Sequence, residues 1–472
     1  MLDTQPTKTK LKSRPVAVPG LTFEPSLWQS YKIARQNVLE LIPERAYHEP
    51  IFCGGKGRGW VMVADPRGLE HVLKSRVDAY PKNAILKRLM KPRRGTNLIV
   101  SEGEEARLQR RTFAPVFAAR ALKNATPAMT DAARVMLDRL EAARNDSEPV
   151  DVFTHMQSAT CDIICDLVLS GRDTLDRDAL RKAVDGFVAT QGRISIFDLL
   201  GVPNAIPRPF ELTDRSRVRM DRMADNVIAT RLRRGSSEPP DLLDLMLGGD
   251  PKTGDPLDPL MVRNNLLGFL FAGHETTALA LTWALYLLAF DPAVQKRAQE
   301  EVQAALGGRE TAAFEDLENL QLVGRVIDEA LRLYAPAGFL TRVALEDDEI
   351  EGQRIRAGMT VILPIHAVHR HRLIWDDPDA FDPDRFLPEN KATRHRFAYL
   401  PFGAGSRVCI GAALALQEAK MLMASFLARY TVNLLPGYTP KPQMWFTLRP
   451  AGGMMLRLSR HSRRGRLYLG GR

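Results

Sequence analysis

The sequence predicts one large, mainly α-helical unit with a small β-rich part, an α+β chain. Three observations point there. Apolar residues recur at helical spacing through most of the chain, only short stretches carry strand character, and across 472 residues neither a low-complexity linker nor an internal repeat separates one part from another. Length alone would suggest about three domains, but the motifs below interlock distant segments and favour one. With 45% hydrophobic and 26% charged residues, the composition is that of an ordinary globular chain able to bury a sizeable core.

Taken in order, Ser26 to Leu41 has the spacing of a surface helix, and Trp60 to Ala64 that of a short strand preceded by glycines. Asp65-Pro66 is an N-cap and first-turn pair opening a helix through Lys74. From Lys82 to Asn97 the pattern is lost and lysine and arginine accumulate, which predicts a loop; a solvated basic loop is favoured there over Lys87, Arg88, Lys91 and Arg93 gripping a carboxylate. Helical patterns fill Thr126 to Arg144, Val152 to Ser170 and Leu180 to Gln191. Phe197 to Phe210, rich in proline and glycine, predicts a mobile loop before a further helix from Asp214 to Arg234.

Leu266 to Phe290 is the most apolar run and long enough to span a membrane. His274-Glu275-Thr276-Thr277 in its middle argues for a buried core helix instead, because a charge there is costly in lipid. Gly268, Ala272 and Thr276 fall at i, i+4 and i+8 and share a face. Such a stripe lets a flat body approach the backbone; the alternative is close helix packing. Asp291-Pro292 caps a helix to Leu306 that ends at Gly307-Gly308. Val323 to Tyr334 is another, with Glu329 and Arg332 meeting at i, i+3. Between Gln443 and Leu448, Met444, Trp445 and Phe446 precede a strand.

Net charge is +10, part of it from Arg457, Arg460, Arg463, Arg464, Arg466 and Arg472 in a basic tail over 457–472. No zinc-finger or RNA-binding signature accompanies it, so no nucleic-acid partner is expected. Cys53, Cys161, Cys165 and Cys409 form neither a CxxC pair nor a dense framework, which fits a reducing cytoplasm. Met1 to Pro25 has no apolar run long enough for a signal peptide or anchor, so no membrane span and a cytoplasmic location are expected.

The most specific stretch is Phe402 to Gly411, Phe-Gly-Ala-Gly-Ser-Arg-Val-Cys-Ile-Gly. It sets Cys409 just before an apolar helical run, Ala412 to Tyr430, where backbone N–H groups favour a thiolate. Gly403 and Gly405 allow a tight turn under a flat ligand, Phe402 offers a ring, and Arg407 can pair with a carboxylate of that ligand. A single thiolate beside apolar surface suits haem iron better than zinc, which takes three or four protein ligands. The plain alternative is a buried free cysteine in a glycine-rich turn.

The pattern Phe-x-x-Gly-x-Arg-x-Cys-x-Gly resembles the haem-binding loop of the cytochrome P-450 superfamily, in a soluble bacterial-type member. The resemblance implies a triangular helical bundle enclosing haem b, one domain over 1–456, with Cys409 as iron ligand. It makes Phe402, Gly403, Arg407 and Gly411 cofactor-binding residues. Gly103 to Phe117 resembles the family's helix whose arginine, here Arg110, reaches a haem propionate; Ala106 stands where tryptophan is common. Arg342 is a further propionate partner. Ala272-Gly273-His274-Glu275-Thr276-Thr277 matches the oxygen-binding stretch. Ala272 then lies beside the cofactor, Thr276 can bond its carbonyl and leave a polar notch, and Glu275 and Thr276 handle protons. His274 points elsewhere by helical spacing.

Glu329 and Arg332, with Arg385 in Phe381-Asp-Pro-Asp-Arg385-Phe386, match the buried triad that fixes the cysteine loop. Tyr-Ala-Pro at 334–336 replaces the commoner Tyr-Pro-Pro, and His371 stands where aspartate is frequent. Leu267, Phe271, Phe339, Leu340 and Phe446 suggest an apolar substrate pocket, lidded by the helices around 180–234. The implied activity is insertion of one atom of O2 into a small apolar substrate. Electrons would come from a ferredoxin or flavodoxin with its reductase, docking on a basic face of Arg107, Arg111, Arg394 and Arg396. The alternatives are a peroxide-using haem-thiolate enzyme, a non-catalytic gas-binding haem protein, or a basic nucleic-acid-binding helical protein.

Overall fold

The structure, a computed structural model, describes residues 14–55, 59–90, 92, 94–144, 148–169, 175–191, 194–199, 202 and 215–461. At its centre runs the core helix Pro259–Phe290, 32 residues long. Pro259 in its first turn and the Asp258 side chain, accepting the Leu260 N–H at 3.0 Å, start it earlier than the predicted Leu266. Its polar first turns hide that start from hydropathy. Asn264 and Asn265 are nevertheless buried, the first donating to the Arg94 carbonyl and the second accepting the Leu98 N–H.

From Ala278 to Ala289 every side chain of the core helix is buried. Helix Val152–Leu169 lies along it. Gly273 permits that approach, since a Cβ there would sit 2.7 Å from Ile164 Cγ1. Thr126–Ala143 and the post-cysteine helix Ala412–Arg429 extend the bundle, and Arg177–Gln191 packs on Arg215–Arg234, which itself lies on the core helix. No single described helix is long and apolar enough to cross a membrane.

The main sheet has the order β1-β2-β7-β4, with β1 Ile51–Gly54, β2 Trp60–Val63, β4 Leu340–Val343 and β7 Thr360–Leu363. Only the β2–β7 pair is parallel, Trp60 facing Thr360 and Met62 facing Ile362. A second sheet joins β3 Val150–Asp151, β11 Met455–Arg460 and β8 Tyr430–Asn433. The hairpins β5 Asp348–Ile350 with β6 Gln353–Ile355, and β9 Pro442–Met444 with β10 Leu448–Pro450, complete the strands among the described residues.

Several boundaries differ from expectation for identifiable reasons. The basic stretch predicted as a loop contains a helix, Ala84–Met90, whose Leu86 N–H is taken by the Asn83 side chain at 3.0 Å. Its charges have internal partners: Arg88 forms a buried ion pair with Asp198 at 2.7 Å, and Lys87 meets Glu102 at 2.8 Å. A density of cations therefore did not mean solvation. The first helix stops at Gln36 because Asn37 is extended and uses its side chain on the Leu39 N–H and the Pro442 carbonyl. The helix opened by Pro66 ends at Glu70 and continues as a π-type turn, His71–Ser75. The last strand takes Arg457 and Arg460 out of the basic tail, Arg460 pairing with Glu141 at 2.7 Å. Lys91, Arg93, most of 200–214 and the tail beyond His461 lie outside the described residues.

Candidate active site

The cysteine loop is closed by its own backbone. The Cys409 N–H donates to the Phe402 carbonyl at 2.9 Å, and the Gly403 N–H to that of Leu400 at 3.1 Å. Gly403 and Gly405 take φ of 68° and 70°, the left-handed region that favours glycine. At Gly405 a Cβ would also lie 2.0 Å from the Leu73 carbonyl oxygen, so packing on the turn His71–Ser75 demands a glycine here as well. Gly411 precedes the post-cysteine helix and its N–H bonds the Cys409 sulfur. Burial pushes the Cys409 thiol up, while that N–H and the Arg110 guanidinium pull it down. Cys409 as a residue is nevertheless exposed, and exposure of a residue whose sulfur is so crowded fits the wall of a concave internal space.

Beside the loop stands a cationic group. Arg342 is buried, donates to the Thr341 carbonyl at 2.9 Å, and leaves its Nε without a partner. Burial, then repulsion from Arg407, brings its pKa down to about 10. Arg407 donates to the Tyr80 carbonyl at 2.9 Å and lies 3.5 Å from Glu102. Lys82, absent from the sequence prediction as a site residue, is buried here too. Its ammonium reaches the Ser101 carbonyl at 2.9 Å, and burial and Arg407 lower its pKa to about 8. Glu102 accepts the Lys82 backbone N–H at 2.6 Å and is the carboxylate shared by Lys87 and Arg407. Nothing in the local pattern sets Lys82 apart from Lys87; its burial follows from the bridge it makes to Arg342 on β4. Arg110, predicted to face a propionate, donates from both terminal nitrogens to the Val408 carbonyl beside Cys409.

On the core helix, Leu267, Gly268, Ala272 and Thr276 are only half-buried amid buried neighbours, so the small-residue stripe faces the internal space. Thr276 Oγ1 donates to the Ala272 carbonyl at 2.8 Å. Gly411 lies next to Phe117, Phe117 stacks on Phe269 of the core helix at 5.6 Å, and Leu340 lies next to Gly403, so the cysteine loop, the core helix and β4 come together here. Glu275 turns aside. Its Oε1 accepts from the Thr447 hydroxyl and from Arg449 Nε at 2.5 Å, its Oε2 has no partner, and Arg449 lies 3.5 Å from Asp185. The sequence did not single out Thr447, Arg449 or Asp185, whose partners lie far away along the chain. His274 is buried with both ring nitrogens unpartnered, and burial lowers its pKa to about 4. It packs as a neutral ring.

Among the predicted pocket residues, Phe271 and Phe446 meet at 5.6 Å between ring centroids. Phe187 of helix Arg177–Gln191 joins them, 5.7 Å from Phe271, and was missed because its helix pattern reads as ordinary core. Leu340 and Phe339 are half-buried at the start of β4. Met444 packs near Gly338, and Trp445 donates to the Gln36 carbonyl, which leaves Phe446 as the member of that trio in the ring cluster.

A cytochrome P-450 family model matches residues 26–457. The chain belongs to the cytochrome P-450 family. It is 34% identical to cyclooctat-9-en-7-ol 5-monooxygenase of Streptomyces melanosporofaciens, over 73% of this chain and 74% of that one. It is 30% identical to cytokinin hydroxylase of Arabidopsis thaliana, over 77% and 71%. Among solved structures it resembles the cytochrome P-450DA haem domain with a TM-score of 0.75, at 27% identity, covering 95% of this chain and 99% of that one.

Membership in the cytochrome P-450 family implies monooxygenase activity with O2, redox partners, and haem held by a cysteine thiolate. The residues present fit such a group. Cys409 is exposed, Gly268, Ala272 and Thr276 are half-buried on one face of the core helix, and Lys82, Lys87, Arg342 and Arg407 surround the single carboxylate of Glu102, a charge imbalance that two ligand carboxylates would relieve. Among the described residues no group of three or more His, Cys, Asp and Glu side chains could hold a bare metal ion.

The predicted triad residues meet in the core of this P-450 chain. Glu329 and Arg332 pair at 2.6 Å, both fully buried, and Arg385 lies 3.4 Å from Glu329. Arg332 also donates to the carbonyls of His369, Pro378 and Ala380 at 2.7 to 3.0 Å. The link onward is His369. Its Nε2 accepts the Leu400 N–H at 2.8 Å, so the ring proton is on Nδ1, which faces the Arg332 carbonyl at 3.2 Å. The four arginines predicted as a docking face are locally engaged: Arg107 with Glu104, Arg111 with Asp250, Arg396 with Glu70, and Arg394 over the Trp375 ring at 4.0 Å.

Proposed function

We propose that this P-450 monooxygenase hydroxylates a small apolar organic substrate using haem b, with electrons from a separate ferredoxin or flavodoxin and its reductase, in the cytoplasm. The observation that carries the reading is the Cys409 loop, closed by its own backbone with Cys409 exposed, together with the Thr276 hydroxyl bonded to the Ala272 carbonyl on the core helix. The bound haem supplies the activation of O2 and the oxidation itself. Cys409 would hold its iron, with Phe402, Gly403 and Gly411 shaping the turn beneath. Arg342, Arg407 and Lys82 would neutralise its carboxylates, while Arg110 keeps the loop backbone in place.

Thr276, with its hydroxyl committed to the Ala272 carbonyl, keeps its oxygen lone pairs toward the internal space and can hold a water there. Glu275 would pass protons to that water once free of its ion pair. Leu267, Phe271, Phe339, Leu340 and Phe446, with Phe187, would orient the substrate and exclude bulk water. A relative named for a monooxygenase reaction of cyclooctat-9-en-7-ol supports an apolar substrate. Neither the triad Glu329, Arg332 and Arg385 nor His369 would touch substrate; they support the loop.

The test begins with the reduced chain under carbon monoxide. A thiolate-type band that disappears in Cys409→Ser is expected, as is a haem spin-state change with apolar ligands and hydroxylated product with a surrogate ferredoxin system. A colourless reconstituted chain, or an unchanged spectrum in the variant, overturns the reading.

A further inference from the structure

A second polar cluster lies where the short helix Ile365–Val368 packs on the turn Glu44–Tyr47. Tyr47, His366 and Arg370 are there 4%, 1% and 2% exposed, so their polar atoms are closed off from bulk water. The rings of Tyr47 and His366 meet edge to face at 6.4 Å between centroids, and Arg370 Nη1 lies 3.3 Å from His366 Nδ1. A guanidinium can only donate, so Nδ1 accepts. Burial, and then the Arg370 charge, holds the His366 ring neutral, which leaves its one proton on Nε2.

The Tyr47 hydroxyl, His366 Nε2 and Arg370 Nε are all buried without a hydrogen-bond partner. Two of them are obligate donors, and the hydroxyl, its pKa pushed up to about 12 by burial, is a third. Arg370 is also short of negative charge. It shares the Asp379 carboxylate with Arg372, which takes that carboxylate at 2.7 Å and leaves Arg370 Nε 3.9 Å from it. The buried Glu329 is already paired with Arg332. A water molecule can accept two of the three donors, but it brings two hydrogens that need acceptors of their own. An anion accepts all three and offsets the buried charge as well.

We propose that Tyr47, His366 and Arg370 form a buried binding site for one small inorganic anion of chloride size. His366 and Arg370 flank His369, the residue that carries the hold of Arg332 onward to the Leu400 N–H. The ion thus ties the turn Glu44–Tyr47 to the segment that braces the cysteine loop, and it touches neither haem nor substrate.

Crystals of the haem-loaded chain grown with bromide in place of chloride should show an anomalous peak within hydrogen-bond distance of Arg370 Nε and His366 Nε2. In solution, urea midpoints should be higher in sodium chloride than in sodium gluconate at equal ionic strength, because gluconate is too large for a buried site. Once chloride exceeds its dissociation constant, each tenfold increase should raise the folded-to-unfolded ratio about tenfold. Arg370→Met should abolish the difference between the two salts. Tyr47→Phe, which removes only a hydroxyl, should raise the chloride needed by about tenfold, the scale of one hydrogen bond to a charged group. Haem loss should be slower in chloride than in gluconate for the parent, and equal in the two salts for Arg370→Met. Water density at the site with no bromide peak, or a chloride effect of the same size in Tyr47→Phe as in the parent, overturns the proposal.

Discussion

Glu418 shows how one side chain can set a pH dependence. It lies on the post-cysteine helix, fully buried, with Thr277 of the core helix as hydrogen-bond partner. Burial raises its carboxyl pKa from 4.5 to about 8, so the folded chain holds a proton there that the unfolded chain has lost. Between those values the folded state binds more protons, and stability must fall as pH rises. The predicted loss from pH 4.5 to above 8 is on the order of a few kcal/mol. In Glu418→Gln that part of the slope should vanish from urea midpoints measured across the range. A wild-type profile rising with pH through this window would contradict it.

Residues of this kind divide by how far their partners lie along the chain. The Thr276 bond to Ala272 was legible because i, i+4 neighbours meet on any helix. Cys409 was legible because the glycines and the arginine that define its loop are within seven residues of it. Lys82, Arg449 and His369 were not, since each owes its role to something distant: Lys82 to Ser101 and Arg342, Arg449 to Glu275, and His369 to Leu400 and Arg332. A lysine in a run of lysines carries no mark of burial.

At the scale of elements, helix Gln321–Leu333 acts as a post on which the cysteine loop is braced. Arg332 collects Glu329 and three backbone carbonyls, and through His369 its hold reaches Leu400, two residues before Phe402. Removing one partner of so buried a set leaves charge and carbonyls unpaired, a cost of about 3–5 kcal/mol. Arg332→Ala should therefore lower the urea midpoint strongly. His369→Ala should cost less stability, yet loosen the loop, seen as faster haem loss at unchanged protein fold. If Arg332→Ala unfolds no earlier than the parent, the bracing role fails. The basic stretch after Lys82 teaches the converse, since Asn83 caps its helix and Asp198 buries Arg88, where composition argued for a solvated loop.

For the whole molecule, Lys82, Arg342 of the main sheet and Arg407 of the cysteine loop are brought together, and these cations repel one another. Binding a group with two carboxylates there should stabilise the fold. With free haem about 100-fold above its dissociation constant, the expected gain is about 2.7 kcal/mol. Lys82 adds a pH signature, because its pKa of about 8 in the haem-free chain should rise beside a carboxylate. Affinity should be full below pH 8 and weaken above it. Thermal unfolding with and without haem checks the first statement. The pH dependence of haem loss, which Lys82→Met should flatten above pH 8, checks the second.

By itself the sequence determined the core helix, the cysteine loop and the pairing of Glu329 with Arg332, because each is written in residues less than a few turns apart. Only the tertiary structure decided that Arg110 serves the Val408 carbonyl, that Gly405 yields to Leu73, and that Glu275 is tied to Arg449. The physical reason is the same in all three. Burial assigns a polar or backbone group to whichever partner the fold brings within hydrogen-bond or contact distance, and that distance is not a function of spacing along the chain.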